Sequence, residues 1–194
     1  MQAFAVDREY KDADSFMGLP LVELDAVGSL FPSDSHVAFV ALTYGKLNRS
    51  RAALVRRIKE QGYSLASYVS SRAFVWRNVS IGENTFIFEN NVVQPFVIIG
   101  NNVVFWSGNH IGHHSKIGNN VFISSHVVIS GYCTVGDNCF FGVNATVADT
   151  VSIGADCWIG PAALITKDIP ENSIVSADAT SSSRVPARRF FKVD

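Results

Sequence analysis

Four of the chain's five histidines fall between positions 110 and 126, inside Gly108-Asn109-His110-Ile111-Gly112-His113-His114-Ser115 and Ser124-Ser125-His126. An imidazole can take or give a proton near neutral pH, and it is also the commonest metal ligand. General-base chemistry or metal chemistry could therefore be built from this segment. Which of the two it supports depends on how the chain positions each ring.

The positioning can be read from a repeat. An aliphatic or aromatic residue stands at every sixth position from Ile81 to Ile165, through Ile87, Val93, Ile99, Phe105, Ile111, Ile117, Ile123, Ile129, Val135, Phe141, Val147, Ile153 and Ile159. Neither the helix period of 3.6 nor the strand period of 2 gives a sustained six, whereas hexapeptide periodicity is the signature of a parallel β-helix. Two residues earlier stands a compact residue: Val79, Thr85, Asn91, Val97, Val103, Asn109, Ser115, Val121, Val127, Cys133, Cys139, Ala145, Val151, Cys157 or Ala163. Side chains two apart in a strand point the same way, so these also face inward. A longer period of eighteen runs through Ile81-Gly82, Ile99-Gly100, Ile117-Gly118, Val135-Gly136 and Ile153-Gly154. Three hexapeptides per coil make a triangular prism, with residues eighteen apart directly above one another.

The numbering then serves as a coordinate system. His113 falls at a corner, with Pro95 one coil below, Gly131 one above and Asp149 two above. A glycine over the ring leaves open space and a bare backbone amide, a proton acceptor beside a potential oxyanion donor. His126 stacks above Gly108 and below Asn144 on a different corner. His110 stacks below Val128 and faces outward, where another subunit could meet it. His114 neighbours Phe96 and Tyr132. His36 opens a strand and reads as structural.

A net charge of −1 and 47% apolar residues describe an ordinary soluble chain and give no sign of a nucleic-acid partner. No apolar run approaches the roughly 20 residues that span a bilayer, and Met1 to Asp7 does not read as a secretion signal. The expected compartment is the cytoplasm. Cys133, Cys139 and Cys157 all belong to the inward class and read as small buried hydrophobes rather than as nucleophiles or metal ligands.

Three segments are expected: a small α/β domain over 1–68, the β-helix over 69–170 and a tail over 171–194. In the first, Ala3 to Val6 and Leu19 to Val22 are short apolar runs, and His36 to Leu42 reads as a buried strand. Asn48 is placed to cap a helix from Arg49 to Gln61, with Ala52, Leu54, Val55 and Ile58 on its apolar face and Gly62 stopping it. Ser64 to Val69 is a following strand. In the tail, Ile169-Pro170 ends the repeat and Ser176 to Ser183 is polar. Lys167, Arg184, Arg188, Arg189 and Lys192 gather positive charge that suits either solvent or a phosphorylated ligand.

On these residues the chain resembles the hexapeptide-repeat acyltransferases, and most closely the PglD-like bacterial sugar-nucleotide acetyltransferases. The segments that carry the resemblance are Trp106 to Ser115, Phe122 to His126 and Phe141-Gly142-Val143-Asn144-Ala145. It implies a mainly β fold, a left-handed parallel β-helix behind a small, apparently truncated α/β domain, assembled as a homotrimer with active sites between subunits. It implies a catalytic set of His113 as base, Gly131 as amide donor and His114, which stands where the family usually has a carboxylate. Something else would then orient the base: Asp149, a backbone carbonyl or a neighbouring subunit. Acetyl-CoA is implied as co-substrate, held by Gly131, Gly142, Gly160, Lys167 and Arg188, with no metal. The nucleotide-linked amino sugar would meet Asp7, Asn109 and His110. The chain starts at what reads as the family's second strand, without its Gly-rich loop, and its ending appears as Val185-Pro186-Ala187-Arg188.

The leading expectation is therefore acetyl-CoA-dependent N-acetylation of an amino sugar on a nucleotide. O-acetylation uses the same machinery. A metal enzyme resembling γ-type carbonic anhydrases and a non-catalytic binding β-helix are the readings from other classes, and histidine spacings of three, four and sixteen argue against the former.

Overall fold

A two-residue strand followed by a four-residue turn, repeated three times per coil, is how the chain realises its period of six. The structure is a computed structural model and describes residues 1–177 and 184–193. Its three parallel faces stack strands eighteen residues apart. The first runs from Phe74–Val75 through Val92–Val93, His110–Ile111, Val128–Ile129 and Thr146–Val147 to Leu164–Ile165. The second runs from Ser80–Ile81 to Ser152–Ile153, and the third from Tyr68–Val69 to Ile174–Val175. The parallel β-helix expected from the repeat, left-handed as the resemblance implies, is the architecture found.

The inward positions are filled as the repeat requires. Ile111, Ile123, Ile129, Phe105 and Phe141 are wholly buried, as are Val121 and Cys139 beside them. Burial of one such aliphatic or aromatic side chain is worth about 1.5–3 kcal/mol. The polar inward residues satisfy one another. Asn109 donates to Trp106 O at 2.8 Å and accepts from Val127 N–H at 2.8 Å, while the Ser115 hydroxyl donates to Ser130 O.

The repeat runs beyond Ile169-Pro170. Ile174–Val175 adds a further rung against Trp158–Ile159 at an offset of sixteen, because this coil is two residues shorter than the others. Of the polar stretch Ser176 to Ser183, positions 178–183 lie outside the described residues. The short helix of Ala187–Phe190 follows, with Arg188 and Arg189 exposed.

Before Tyr68 the chain forms β1 (Phe4–Val6), β2 (Ser15–Phe16) and β3 (Leu19–Glu23), with β1 and β3 parallel. The short α1 (Val27–Leu30) leads to β4 (Val37–Ala38), α2 (Arg49–Glu60) and β5 (Ser64–Leu65), and β4 pairs with β5 in parallel. The strand expected over His36 to Leu42 is only Val37–Ala38. Residues 39–47 instead pass along the third face, whose outward column of Phe86, Val104, Phe122, Phe140 and Trp158 needs a cover. The Phe39 ring lies 6.1 Å from Phe86, and Tyr44 lies 5.1 Å from Phe122 and 4.7 Å from Phe140.

The expected cap at Asn48 is replaced by something else. Asn48 makes no side-chain cap bond and adopts a left-handed conformation at φ 65°. It is fully buried, donating to Cys139 O at 3.0 Å and accepting from Arg51 at 3.3 Å. Arg51 is itself fully buried. Its guanidinium donates to Asn102 Oδ1 and O, to Thr43 O, and at longer range to Asn120 O and Val121 O. Among the described residues no carboxylate pairs with it. Burial pushes its pKa down to about 10, still well above neutral, so it clamps α2 to the β-helix as a cation on neutral oxygens.

Replacing Arg51 by Met orphans several buried acceptors, each costing about 1–3 kcal/mol. We expect the variant to keep its β-sheet circular dichroism while residues 39–60 become sensitive to limited proteolysis. Burial also pushes the Cys139 thiol up to about 12. At pH 8 the native thiol should resist an aromatic disulfide reagent that labels it readily in guanidinium.

Candidate active site

The corner between the first and second faces carries the residues that can do chemistry. Its turns contain His113-His114, Gly131-Tyr132 and Asp149-Thr150 on successive coils, with Pro95-Phe96 below. Both histidines are exposed and Gly131 is buried. The His113 imidazole packs flat on Gly131: a Cβ there would lie 2.9 Å from Cε1 and 3.1 Å from Nε2. Gln94 Oε1 accepts the His113 backbone N–H at 2.9 Å, which anchors the turn from below.

The amide expected to stand bare at Gly131 already has an acceptor. Gly131 N–H donates to Asp149 Oδ1 at 2.8 Å. Asp149 follows the same rule as Asn101, Asn119 and Asp137 at the next corner, each of which accepts an amide one coil below. Asp149 is thus engaged by the Gly131 backbone and does not reach His113. The group that does touch the His113 ring was not among the expected candidates for orienting it: His114, whose Nδ1 lies 3.1 Å from His113 Nδ1.

His114 sits in an aromatic stack. Its ring centroid is 4.6 Å from Phe96 and 4.8 Å from Tyr132, with interplanar angles of 26° and 16°. Tyr132 also meets His113 edge-on at 5.0 Å. Phe96, His114 and Tyr132 all occupy left-handed backbone, at φ 64°, 59° and 57°. Bulky side chains adopt that region rarely; the fold imposes it at every turn, and here it falls on three rings that stack in one column.

The other sequence candidates are spread over the molecule. His126 packs over Gly108 at the corner between the third and first faces, where Gly142 and Gly160 also lie, and both of these glycines are buried. Lys167 follows Ile165 as His113 follows Ile111, so it tops the His113 column and is exposed. Arg188 is in the tail helix. His110 points outward from the first face between Val92 and Val128, as its register requires. Asn109 is corrected: it is 1% exposed and its side chain is committed to the interior, so it cannot contact a substrate. Asp7 is engaged by Arg57 at 2.5 Å, which also holds Asp25. Among the described residues no three His, Cys, Asp or Glu side chains are gathered to hold a metal, and no helix is long and apolar enough to cross a membrane.

Sequence reasoning missed the Gly131–Asp149 contact and the Arg51 clamp. The eighteen-residue spacing of Asn84, Asn102, Asn120 and Asn138 was visible, and it marks the column on which Arg51 sits. A cleft of about 620 Å³ lies there, between α2 and Asn101, Asn119 and Asp137, away from His113.

The chain was compared with known proteins. The bacterial transferase hexapeptide model matches residues 78–113 and 114–149, and the hexapeptide repeat of succinyl-transferase matches residues 132–167. Comparison with curated protein sequences found no significant relative. Among solved structures the chain is similar to PerB from Caulobacter crescentus, crystallised with CoA and GDP-perosamine. That match has 25% identity and a TM-score of 0.78, over 84% of this chain and 78% of the other. It also shares its fold with the acetyltransferase domain of PglB from Neisseria gonorrhoeae, at 22% identity and TM-score 0.81 over 90% and 83%. WeeI from Acinetobacter baumannii matches at 19% identity and TM-score 0.62 over 90% and 82%.

Gly131→Ala tests the packing. The added methyl has no room beside the His113 ring, so the ring must swing outward. We expect an unchanged melting profile by circular dichroism and shifted His113 imidazole resonances by NMR.

Proposed function

We propose that this chain, a member of the hexapeptide-repeat acyltransferases of left-handed β-helix fold, transfers the acetyl group of acetyl-CoA to the amine of a nucleotide-linked amino sugar. The observation that carries this reading is the exposed His113 imidazole packed on Gly131 at a corner of the repeat. Support for the substrate class comes from the 25% identical PerB, bound to CoA and GDP-perosamine. Acetyl-CoA is likewise bound in the PglB domain.

In this reading His113 takes a proton from the attacking amine, an effect typically worth about 10²–10⁴ in rate. The new C–N bond forms, the thioester C–S bond breaks, and the departing thiolate recovers the proton from His113. Gly131 supplies the space for the imidazole, and Asp149 fixes the turn that supplies it. The buried cysteines take no covalent part: Cys133 belongs to the same turn as Gly131, but its thiol is 1% exposed and donates inward to Ala148 O.

His113 lies on open surface in the single chain, and a second copy would enclose it. The first face presents Phe74, Val128 and Leu164, 56%, 38% and 68% exposed, to solvent. Packing this face around a threefold axis covers them and brings the His113 corner of one copy beside the Gly142–Gly160 corner of the next. Acetyl-CoA would then lie in the groove between copies, with its phosphates towards Lys167 and Arg188, and His110 would lie within the assembly.

The decisive experiment offers a panel of amino-sugar nucleotides with acetyl-CoA and follows release of free thiol. His113→Ala is expected to fold and assemble as the parent does while losing about 10²-fold or more of its turnover. Near-parental turnover would remove His113 from the mechanism. Turnover with hydroxyl sugars alone would move the assignment to O-acetylation.

A further inference from the structure

We propose that His114 is the positioning residue of the site: it accepts the Nδ1–H of His113 and so holds the base in the tautomer whose Nε2 is bare. The inference rests on the acyltransfer reading for its consequence and on the geometry of the corner for its substance.

The two Nδ1 atoms are 3.1 Å apart, a hydrogen-bond distance, and only one of them can carry the proton between them. If His114 donates, His113 carries its proton on Nε2 and presents a donor to the substrate, which leaves the site without a base. If His113 donates, its Nε2 lone pair faces outward and can take the amine proton. The bond made by one ring nitrogen sets the state of the other. Among the described residues His114 is the hydrogen-bond partner that the His113 ring has, while Asp149 Oδ1 meets the Gly131 amide and Gln94 Oε1 the His113 backbone N–H.

His114 is suited to this role by its restraint. Phe96 and Tyr132 grip its two faces, so the ring cannot rotate away from His113. When His113 becomes an imidazolium, its Nδ1–H bond to neutral His114 shortens and part of the charge passes to a ring held between two π faces, which favour a cation. The amine proton goes to His113 Nε2 and later to the thiolate. The Nδ1 proton stays within the pair, so protons balance at every step.

The arrangement also gives the column its meaning. Positions 84, 102, 120 and 138 place asparagine at the left-handed residue of the second corner. The first corner places Phe96, His114 and Tyr132 there instead, three rings that stack only because they stand eighteen residues apart. A structural turn would do better with asparagine. Two aromatic rings bracketing an imidazole serve to hold that imidazole.

The test uses the full chain labelled with ¹⁵N-histidine, together with His114→Phe and His114→Glu. Phe keeps the stack and loses the acceptor, and its neighbours Phe96 and Tyr132 show that this backbone tolerates a ring. We expect the parent to show His113 protonated on Nδ1 and a scalar coupling between the two Nδ1 nuclei. In His114→Phe, the His113 tautomers should mix and kcat should fall about tenfold or more, with KM for acetyl-CoA little changed and an altered acid limb of the pH profile. His114→Glu should restore the Nδ1–H tautomer and part of kcat. A parent in which His113 is protonated on Nε2, or a His114→Phe variant with unchanged tautomer and kcat, overturns the proposal. Absence of acetyl transfer to every acceptor, with the coupling present, overturns the enzymatic reading and leaves the histidine pair standing.

Discussion

One residue in every six along the β-helix adopts left-handed backbone, and the rest of the structure depends on it. The series runs Asn84, Asn90, Phe96, Asn102, Gly108, His114, Asn120, His126, Tyr132, Asn138, Asn144, Thr150, Asp156 and Ala162. Each closes a turn tight enough to bring the next two-residue strand onto a new face. Left-handed backbone costs an ordinary L residue roughly 1–2 kcal/mol, and asparagine is among those that adopt it with least strain. The stacked parallel strands and filled interior offset that strain at every rung. Because the turns lie eighteen residues apart in register, they align into three columns, and each corner acquires its own chemistry.

The second corner shows what such a column can bear. Asn84, Asn102, Asn120 and Asn138 pass hydrogen bonds along the stack, amide to carbonyl oxygen, at 2.8, 2.8 and 3.2 Å. Asp156 ends the run and pairs with Arg49 at 2.7 Å. A buried guanidinium needs oxygens rather than a counter-charge if enough of them converge. Arg51 finds them because the column and the segment leading into α2 present Asn102, Asn120, Thr43 and Asn48 together. The N-terminal segment is thereby fixed to the β-helix by polar contacts at one edge and by the aromatic cover over the third face at another.

This division explains what could be read in advance. Hydrophobic spacing decides which residues point inward, so the faces, the corners, the buried cysteines and the meeting of His113 with Gly131 were all legible. The same register placed Asn109 inward, and naming it for a substrate came from the likeness alone. Spacing says nothing about which acceptor an amide finds, so the bond from Gly131 to Asp149 could not be read. Nor could it separate a strand from an extended cover. His36 to Leu42 is apolar enough for either, and the aromatic column beneath Phe39 and Tyr44 decides between them. Arg51 looked like one charge on an amphipathic helix because its partners come from residues 42 to 121, far apart in the chain.

The first corner departs from the other two in the kind of group it commits to each task. A carboxylate beside the base would orient it and would stabilise the imidazolium through its charge. Here the carboxylate of Asp149 is engaged by a backbone amide, and a neutral ring takes the adjoining place. An imidazole orients as well as a carboxylate does, since one lone pair aimed at Nδ1 is enough. It gives up most of the electrostatic assistance, and the faces of Phe96 and Tyr132 return part of it. With a ring in the orienting place, the nearest carboxylate is left to hold the turn that frames the base.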